Sequence, residues 1–147
     1  MDDDRAMQLV SGIAAFEAKE FRRAWQLLQP LADDGSADAL YRCAIMTQNG
    51  LGVIAQPDAA ATMMRAAADQ AFGLAQHSLG IMYLFGEGVD QNTPEAVRLL
   101  ELAGNSGLAG AWSTLGMLYL EGQGVDKDVE RARNYYAKAG FDPDEFG

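Results

Sequence analysis

Hydrophobic residues recur at intervals of three and four along almost the whole chain, which is the period of an amphipathic helix. The segment from Phe21 to Ala32 is typical, because Ala24, Trp25 and Leu28 fall on one of its faces. β-Branched residues are scarce and no segment alternates between polar and apolar positions, so we expect no β-sheet. The pattern predicts eight helices, at residues 5–18, 21–33, 36–48, 57–70, 73–85, 93–104, 109–121 and 128–139.

One apolar run occurs twice, 36 residues apart. It reads Leu-Gly-Ile-Met-Tyr-Leu-Phe-Gly-Glu-Gly-Val at 79–89 and Leu-Gly-Met-Leu-Tyr-Leu-Glu-Gly-Gln-Gly-Val at 115–125. An altered third copy, at 43–53, keeps the final Gly-Leu-Gly-Val. The residues that define the repeated signature are Gly80, Tyr83, Gly86, Gly88, Gly116, Tyr119, Gly122 and Gly124. A period of this length predicts an array of repeated helix hairpins.

The signature glycines have two different functions. Gly80 and Gly116 lie in the middle of helices, where glycine costs about 1 kcal/mol relative to alanine, so we expect a neighbouring helix to approach closely there. The Gly-x-Gly pairs end the helices, because glycine adopts the left-handed conformation without a steric penalty. Each hairpin has one apolar side that it cannot bury alone, and we expect it to stack on the next hairpin.

The pattern Ala-x-x-x-Leu-Gly-x-x-Tyr-x-x-Gly-x-Gly-Val, followed by an alanine-rich second helix, resembles the Sel1-like repeat, a relative of the tetratricopeptide repeat. Two copies match all seven fixed positions, whereas the copy at 37–72 has Cys43, Ala44 and Thr47 where Leu, Gly and Tyr are usual. The resemblance implies an all-α fold, a right-handed superhelix (solenoid) of about four helix hairpins. It also implies a scaffold for protein–protein contacts.

We predict a single domain over residues 1–147. It comprises a degenerate tetratricopeptide-like hairpin at 5–36, three Sel1-like repeats at 37–72, 73–108 and 109–140, and a tail at 141–147. The tail has no counterpart in the repeat, and we expect it to fray or to cap the last hairpin loosely. A short array of this kind is expected to be a monomer or a weak homodimer.

The net charge of −10 argues against two classes of partner. An acidic surface repels phosphate backbones and anionic lipid headgroups, so we expect neither nucleic acid nor a membrane as partner. It favours a basic protein or peptide, although acidity that only maintains solubility remains an alternative. The acidic N-terminus shows no signal peptide, so we expect a cytoplasmic protein, with a removed leader as the open alternative. The single Cys43 suits a reducing compartment, and its column in the repeat predicts a buried core residue.

The sequence offers no set of residues for catalysis. It contains one histidine, His77, and no Ser-x-x-Lys, Gly-x-Ser-x-Gly or phosphate-binding glycine loop. The acidic residues Asp126, Asp128 and Glu130 lie in a loop too short for a twelve-residue calcium site. We therefore predict a protein that is not an enzyme and needs no metal or cofactor.

Variable positions in the first helix of each hairpin are the candidates for binding. The resemblance implies that these helices line a concave groove, and Tyr41, His77 and Trp112 are the predicted partner-binding residues. The alternatives are that Trp112 packs against the neighbouring hairpin and that His77 is an ordinary solvated side chain. Tyr136 matches a core column, whereas Tyr135 is expected to face outward or to cover the end of the array.

The predicted function is a non-enzymatic scaffold or adaptor that binds a protein or peptide in the groove. One alternative is a regulatory or immunity-type subunit that inhibits an enzyme. A cell-wall or β-lactam hydrolase is a further alternative, which family association alone suggests.

Overall fold

The computed structural model describes residues 2–142 and 144. Within these residues the chain forms eight helices and no strand. The helices are α1 (Asp3–Glu17), α2 (Phe21–Asp33), α3 (Ala37–Asn49), α4 (Pro57–Ala68), α5 (Gly73–Phe85), α6 (Thr93–Asn105), α7 (Ala109–Glu121) and α8 (Val129–Lys138). Every helix lies within two residues of its predicted bounds at both ends. The all-α prediction is confirmed.

The helices stack in the order in which they occur along the chain. They pair as α1 with α2, α3 with α4, α5 with α6, and α7 with α8. Each hairpin then packs on the next through α2 against α3, α4 against α5, and α6 against α7. This serial packing is the arrangement that a repeat array requires, because each unit completes the core of its neighbour.

The Gly-x-Gly turns need glycine for two reasons. Their first glycines cap α3, α5 and α7 in the left-handed conformation, with φ of 68°, 70° and 68°. Their second glycines lie against the preceding hairpin. A Cβ on Gly88 would be 2.5 Å from the carbonyl oxygen of Pro57, and one on Gly52 would be 2.8 Å from the carbonyl carbon of Phe21. The turn therefore fixes both the end of a helix and the spacing between hairpins.

The glycines in the middle of α5 and α7 admit the second helix of their own hairpin. A Cβ on Gly116 would be 2.8 Å from the ring of Tyr136, and one on Gly80 would be 3.1 Å from Cγ of Leu100. Tyr136 thus packs in the core column, as predicted. The expected close approach of helices at these two glycines is confirmed.

Polar side chains cap the starts of the last two second helices. Asn92 Oδ1 accepts a hydrogen bond of 3.2 Å from the backbone N–H of Glu95, and Asp128 Oδ1 accepts one of 3.0 Å from that of Arg131. Each cap satisfies one of the backbone donors that a helix start leaves unpaired. Asp128 is therefore the N-cap of α8.

Cys43 lies in the core, as its column predicted, and is fully buried. Burial, together with the nearby charge of Asp33, raises the pKa of its thiol to about 12. At the other end of the array, Phe141 packs edge-to-face on Tyr136 with ring centroids 5.8 Å apart. Within the predicted tail, residues 143 and 145–147 lie outside the described residues.

Candidate interaction surface

Side-chain contacts join the first helices of successive hairpins at two places, between α1 and α3 and between α5 and α7. The guanidinium of Arg42 on α3 lies 6.0 Å from the ring centroid of Phe16 on α1. His77 Nε2 on α5 lies 3.2 Å from Thr114 Oγ1 on α7. Because these contacts join successive first helices, the side chains beside them lie on one side of the array.

Each first helix presents one stripe of side chains on that side, at intervals of three and four residues. We call the central part of it the first-helix face; its members are all half-buried or exposed, and they are Tyr41, Ile45, His77, Ile81, Ser113 and Met117. On α5 the stripe continues at both ends, with Leu74 38% exposed and Phe85 53% exposed. The third hairpin therefore carries the most apolar part of this surface.

Tyr41 is held in place by its neighbours on this face. Its ring meets the ring of Phe72 edge-to-face at 5.4 Å, and the guanidinium of Arg42 lies 5.6 Å from its centroid. Arg42 Nη1 in turn pairs with Asp38 Oδ1 at 3.0 Å. A ring that is already fixed loses little conformational freedom when a partner covers it, which favours binding.

His77 is half-buried and shares a hydrogen bond with Thr114, so it is more constrained than a solvated side chain. Burial lowers the pKa of its imidazole below the ordinary value of 6.5. The neutral ring is therefore the form present at neutral pH. It offers a partner one polar atom within an otherwise apolar stripe.

Trp112 lies in the core rather than on the first-helix face. It is buried, stacks on Tyr135 with centroids 5.9 Å apart, and has the amino group of Lys138 4.6 Å from its ring centroid. Its ring also lies against Gly104 of the preceding hairpin, where a Cβ would be 2.4 Å away, which is the alternative of packing between hairpins. The structure thus brings Tyr41 and His77 to one surface without Trp112, and a binding function for the three remains a prediction.

Tyr135 neither faces outward nor covers the end of the array, which corrects both alternatives expected from the sequence. It is buried, and its hydroxyl donates a hydrogen bond of 2.6 Å to Glu101 Oε1. Burial, and then this bond to Glu101, raises the pKa of the phenol to about 12. Sequence reasoning missed the exposed Leu74 and Phe85, although both fall on the same helical stripe as His77 and could have been found from that spacing.

Comparison with known proteins decides the family of this array. The model of the Sel1 repeat matches residues 37–72, 73–108 and 115–140. The chain belongs to the Sel1 repeat family. Sel1 repeat proteins generally mediate protein–protein interactions and are typically not enzymes.

Two solved Sel1 repeat structures show the same fold over nearly all of this chain. A Sel1 repeat protein from Oxalobacter formigenes is 29% identical, with a TM-score of 0.81, and the match covers 95% of this chain and 54% of that one. The protein c5321, a protective antigen present in uropathogenic Escherichia coli strains displaying an SLR fold, is 31% identical, with a TM-score of 0.82. That match covers 92% of this chain and 30% of c5321. No curated protein matches.

A group of polar contacts around Arg65 joins the second and third hairpins of this Sel1 repeat chain. Arg65 donates a hydrogen bond of 2.6 Å to the hydroxyl of the signature residue Tyr83 and lies 3.6 Å from Glu95. The hydrogen bond from Arg98 lowers the pKa of Glu95. Across residues 2–142 and 144, no group of three or more His, Cys, Asp or Glu side chains could hold a metal ion. In the same part of the chain, no helix has the length and apolar character needed to span a membrane.

Proposed function

We propose that this protein is a non-enzymatic scaffold or adaptor that binds a segment of a protein or peptide across the first-helix face, in a concave groove. The observation that carries the proposal is the apolar stripe of α5, where the exposed Leu74 and Phe85 and the half-buried Ile81 lie in line with His77. Membership of the Sel1 repeat family supports the general class of function.

The apolar side chains of this face follow helical spacing along α5 and one repeat column across three helices, rather than scattered positions. Single exposed hydrophobic residues are normal on soluble proteins, whereas a contiguous patch marks an interaction site. Ile45 on α3 and Met117 on α7 occupy the column of Ile81, so the apolar surface extends from α5 to both neighbouring first helices. A partner segment that crosses the three helices would cover all of it.

Charge favours a basic partner. The chain carries a net charge of −10, and acidic side chains lie near the Phe85 end of the stripe. Glu121 is exposed at the corresponding end of α7, and Glu87 follows Phe85 in the turn, where it accepts a hydrogen bond of 3.0 Å from Gln48. Complementary charge at such a rim accelerates association and selects among partners.

A matched pair of variants tests the proposal. Leu74→Gln with Phe85→Gln removes the apolar ends of the stripe without adding charge. Leu102→Gln with Val129→Gln makes the same change on second helices, where these side chains are 40% and 38% exposed. Crosslinking and mass spectrometry in native extract identify partners of the wild type, and isothermal titration then measures the affinity of each purified partner for both variants.

We expect the first pair to weaken binding by about 30-fold, since covering the exposed part of each side chain contributes about 1 kcal/mol. The control pair should leave the affinity unchanged. Equal affinities for the two pairs would place the binding surface elsewhere and refute the proposal.

A further inference from the structure

The outer side of α1 exposes residues of a kind that the other hairpins bury. Met7 and Val10 lie there, 69% and 68% exposed. In the three later hairpins their two columns are buried, with Cys43, Leu79 and Leu115 in the column of Met7 and Met46, Met82 and Leu118 in that of Val10. The preceding hairpin covers these columns, whereas α1 packs mainly on α2 and, to a lesser extent, on α3. Among the described residues, the first end of the array is therefore left without a cover.

The uncovered surface extends along most of α1. Asp3, Met7, Val10 and Ala14 are all exposed and recur at intervals of three and four residues, so they form one stripe with an apolar centre. The last part of the stripe borders an open cleft of about 460 Å³ between α1 and α2. Its lining residues are Ser11, Ala14, Ala15, Ala18, Glu20 and Arg23. We call the stripe together with Arg23 the α1 end face.

Arg23 supplies a positive charge at one end of this face. It stands in the column of Glu95, whose carboxylate lies 3.6 Å from Arg65 of the preceding hairpin. A side chain in this column is therefore placed to pair across a junction. Neither Arg23 nor Asp3, at the opposite end of the stripe, takes part in an ion pair within the described part of the chain.

The other end of the array does not offer a matching apolar surface. Most of the exposed side chains of α8 are polar, namely Glu130, Arg131, Asn134 and Lys138. A terminal helix with a polar outer side keeps a repeat array soluble and stops further stacking. This disfavours the stacking of the last hairpin of one copy on α1 of another. The apolar surface that matches the α1 end face is a second α1 end face.

A two-fold axis brings both the apolar and the charged parts of two such faces together. If the two α1 helices run antiparallel, Met7 of each copy faces Val10 of the other. Asp3 and Ala14 are equally far from the point midway between Met7 and Val10, about 8 Å along the helix at 1.5 Å per residue. Asp3 of one copy therefore lies opposite Ala14 of the other, beside the cleft that Arg23 lines.

We propose that this protein forms a homodimer through the α1 end face, with the two α1 helices antiparallel and Asp3 of each copy paired with Arg23 of the other. The same patch serves both copies, so assembly closes at two. The apolar centre of the contact is covered, and each charge at its edge gains a partner of opposite sign. The first-helix face lies outside this contact, and the inference does not depend on the proposed function.

Sedimentation equilibrium of the full chain, from about 5 µM to about 1 mM, tests the proposal. We expect a reversible equilibrium between monomer and dimer, with a dissociation constant on the order of 100 µM because the apolar contact is small. Met7→Gln with Val10→Gln removes the apolar centre at positions that are exposed in the monomer, and should weaken the dimer at least about tenfold. Leu102→Gln with Val129→Gln is the control, and it should dimerise as the wild type does.

A charge exchange tests the antiparallel arrangement. Arg23→Asp and Asp3→Arg each place like charges opposite one another, so each variant alone should dimerise about tenfold more weakly than the wild type. An equimolar mixture of the two variants restores opposite charges at both contacts and should regain the affinity of the wild type. Recovery on mixing cannot arise from a change within one chain.

The assignment is overturned by a chain that stays monomeric at about 1 mM, by assembly beyond two copies, or by single charge variants that regain no affinity on mixing. A dimer that only the control pair weakens would place the contact elsewhere and would also overturn it. The Leu74→Gln, Phe85→Gln pair should dimerise as the wild type does, so the dimer and the proposed function can fail separately.

Discussion

Gly104 and Trp112 form a pair across the junction between the last two hairpins, and replacing the glycine should destabilise the protein. A Cβ on Gly104 would lie 2.4, 2.5 and 2.7 Å from three atoms of the indole. The ring is buried and stacked on Tyr135, so it cannot move away freely. Overpacking of this kind costs roughly 1–3 kcal/mol, and such short contacts favour the upper part of that range.

The higher helix propensity of alanine opposes the cost of overpacking, so the two together determine the change in stability. Alanine is favoured over glycine by at most about 1 kcal/mol within a helix. We therefore expect Gly104→Ala to lower the free energy of unfolding by about 1–2 kcal/mol. Gly110→Ala is the control, because a Cβ there meets nothing within 4 Å. It should leave the stability unchanged or raise it slightly.

The repeat itself supplies the rescuing substitution. The equivalent columns at the junction of the first two hairpins hold Ala32 and Leu40. Alanine at the first position is therefore combined with leucine, not tryptophan, at the second. Trp112→Leu should destabilise the protein on its own, because it empties space in the core. In the double variant the clash is absent, so the two effects should fall short of their sum by about 2 kcal/mol.

Urea unfolding followed by far-ultraviolet circular dichroism measures the free energy of unfolding of the wild type, the two single variants and the double variant. Stabilisation by Gly104→Ala would show that propensity dominates and that the indole moves aside at little cost. Effects that add to within about 0.5 kcal/mol would show that the two residues do not interact, and either result would refute the reasoning.

Three further predictions concern titratable groups whose pKa is shifted by burial. Because burial raises the pKa of Cys43 to about 12, iodoacetamide should label the folded protein far more slowly than the urea-unfolded chain, and rapid labelling of the folded state would contradict this. The pKa of Tyr135 is raised from 10 to about 12, so the unfolded chain loses the proton first. The free energy of unfolding should therefore fall as pH rises from 10 towards 12, and it should fall less steeply in Tyr135→Phe. The variant should also be less stable than the wild type by about 1 kcal/mol, because it lacks the hydrogen bond to Glu101. The pKa of His77 is lowered, so the unfolded chain gains the proton first, and stability should decline as pH falls below 6.5 in the wild type but not in His77→Gln.

Comparison of aligned repeats predicted the features that depend on one hairpin. The helix bounds, the glycine turns and the position of Tyr136 follow from columns in which several copies agree. Gly116 and Tyr136, for example, face each other within a single hairpin. Contacts within one hairpin recur in the other copies and keep similar residue types in the same columns, so the sequence reveals them.

Features that depend on contacts between hairpins could not be predicted in the same way. Trp112 is buried because Gly104 of the preceding hairpin leaves room for its ring, and no other copy has a tryptophan in this column. A column shows which residue has changed, whereas the space that results is set by the neighbouring column.

Packing of each helix mainly on its immediate neighbours also determines how the chain acquires its structure. Because α1 to α8 pair in chain order, contacting residues are never far apart in sequence, and the chain closes only short loops before it gains favourable contacts. Folding should consequently be fast for a protein of this length. Amide hydrogen exchange should reveal stepwise opening from the terminal hairpins, while the two central hairpins, each supported on both sides, exchange last.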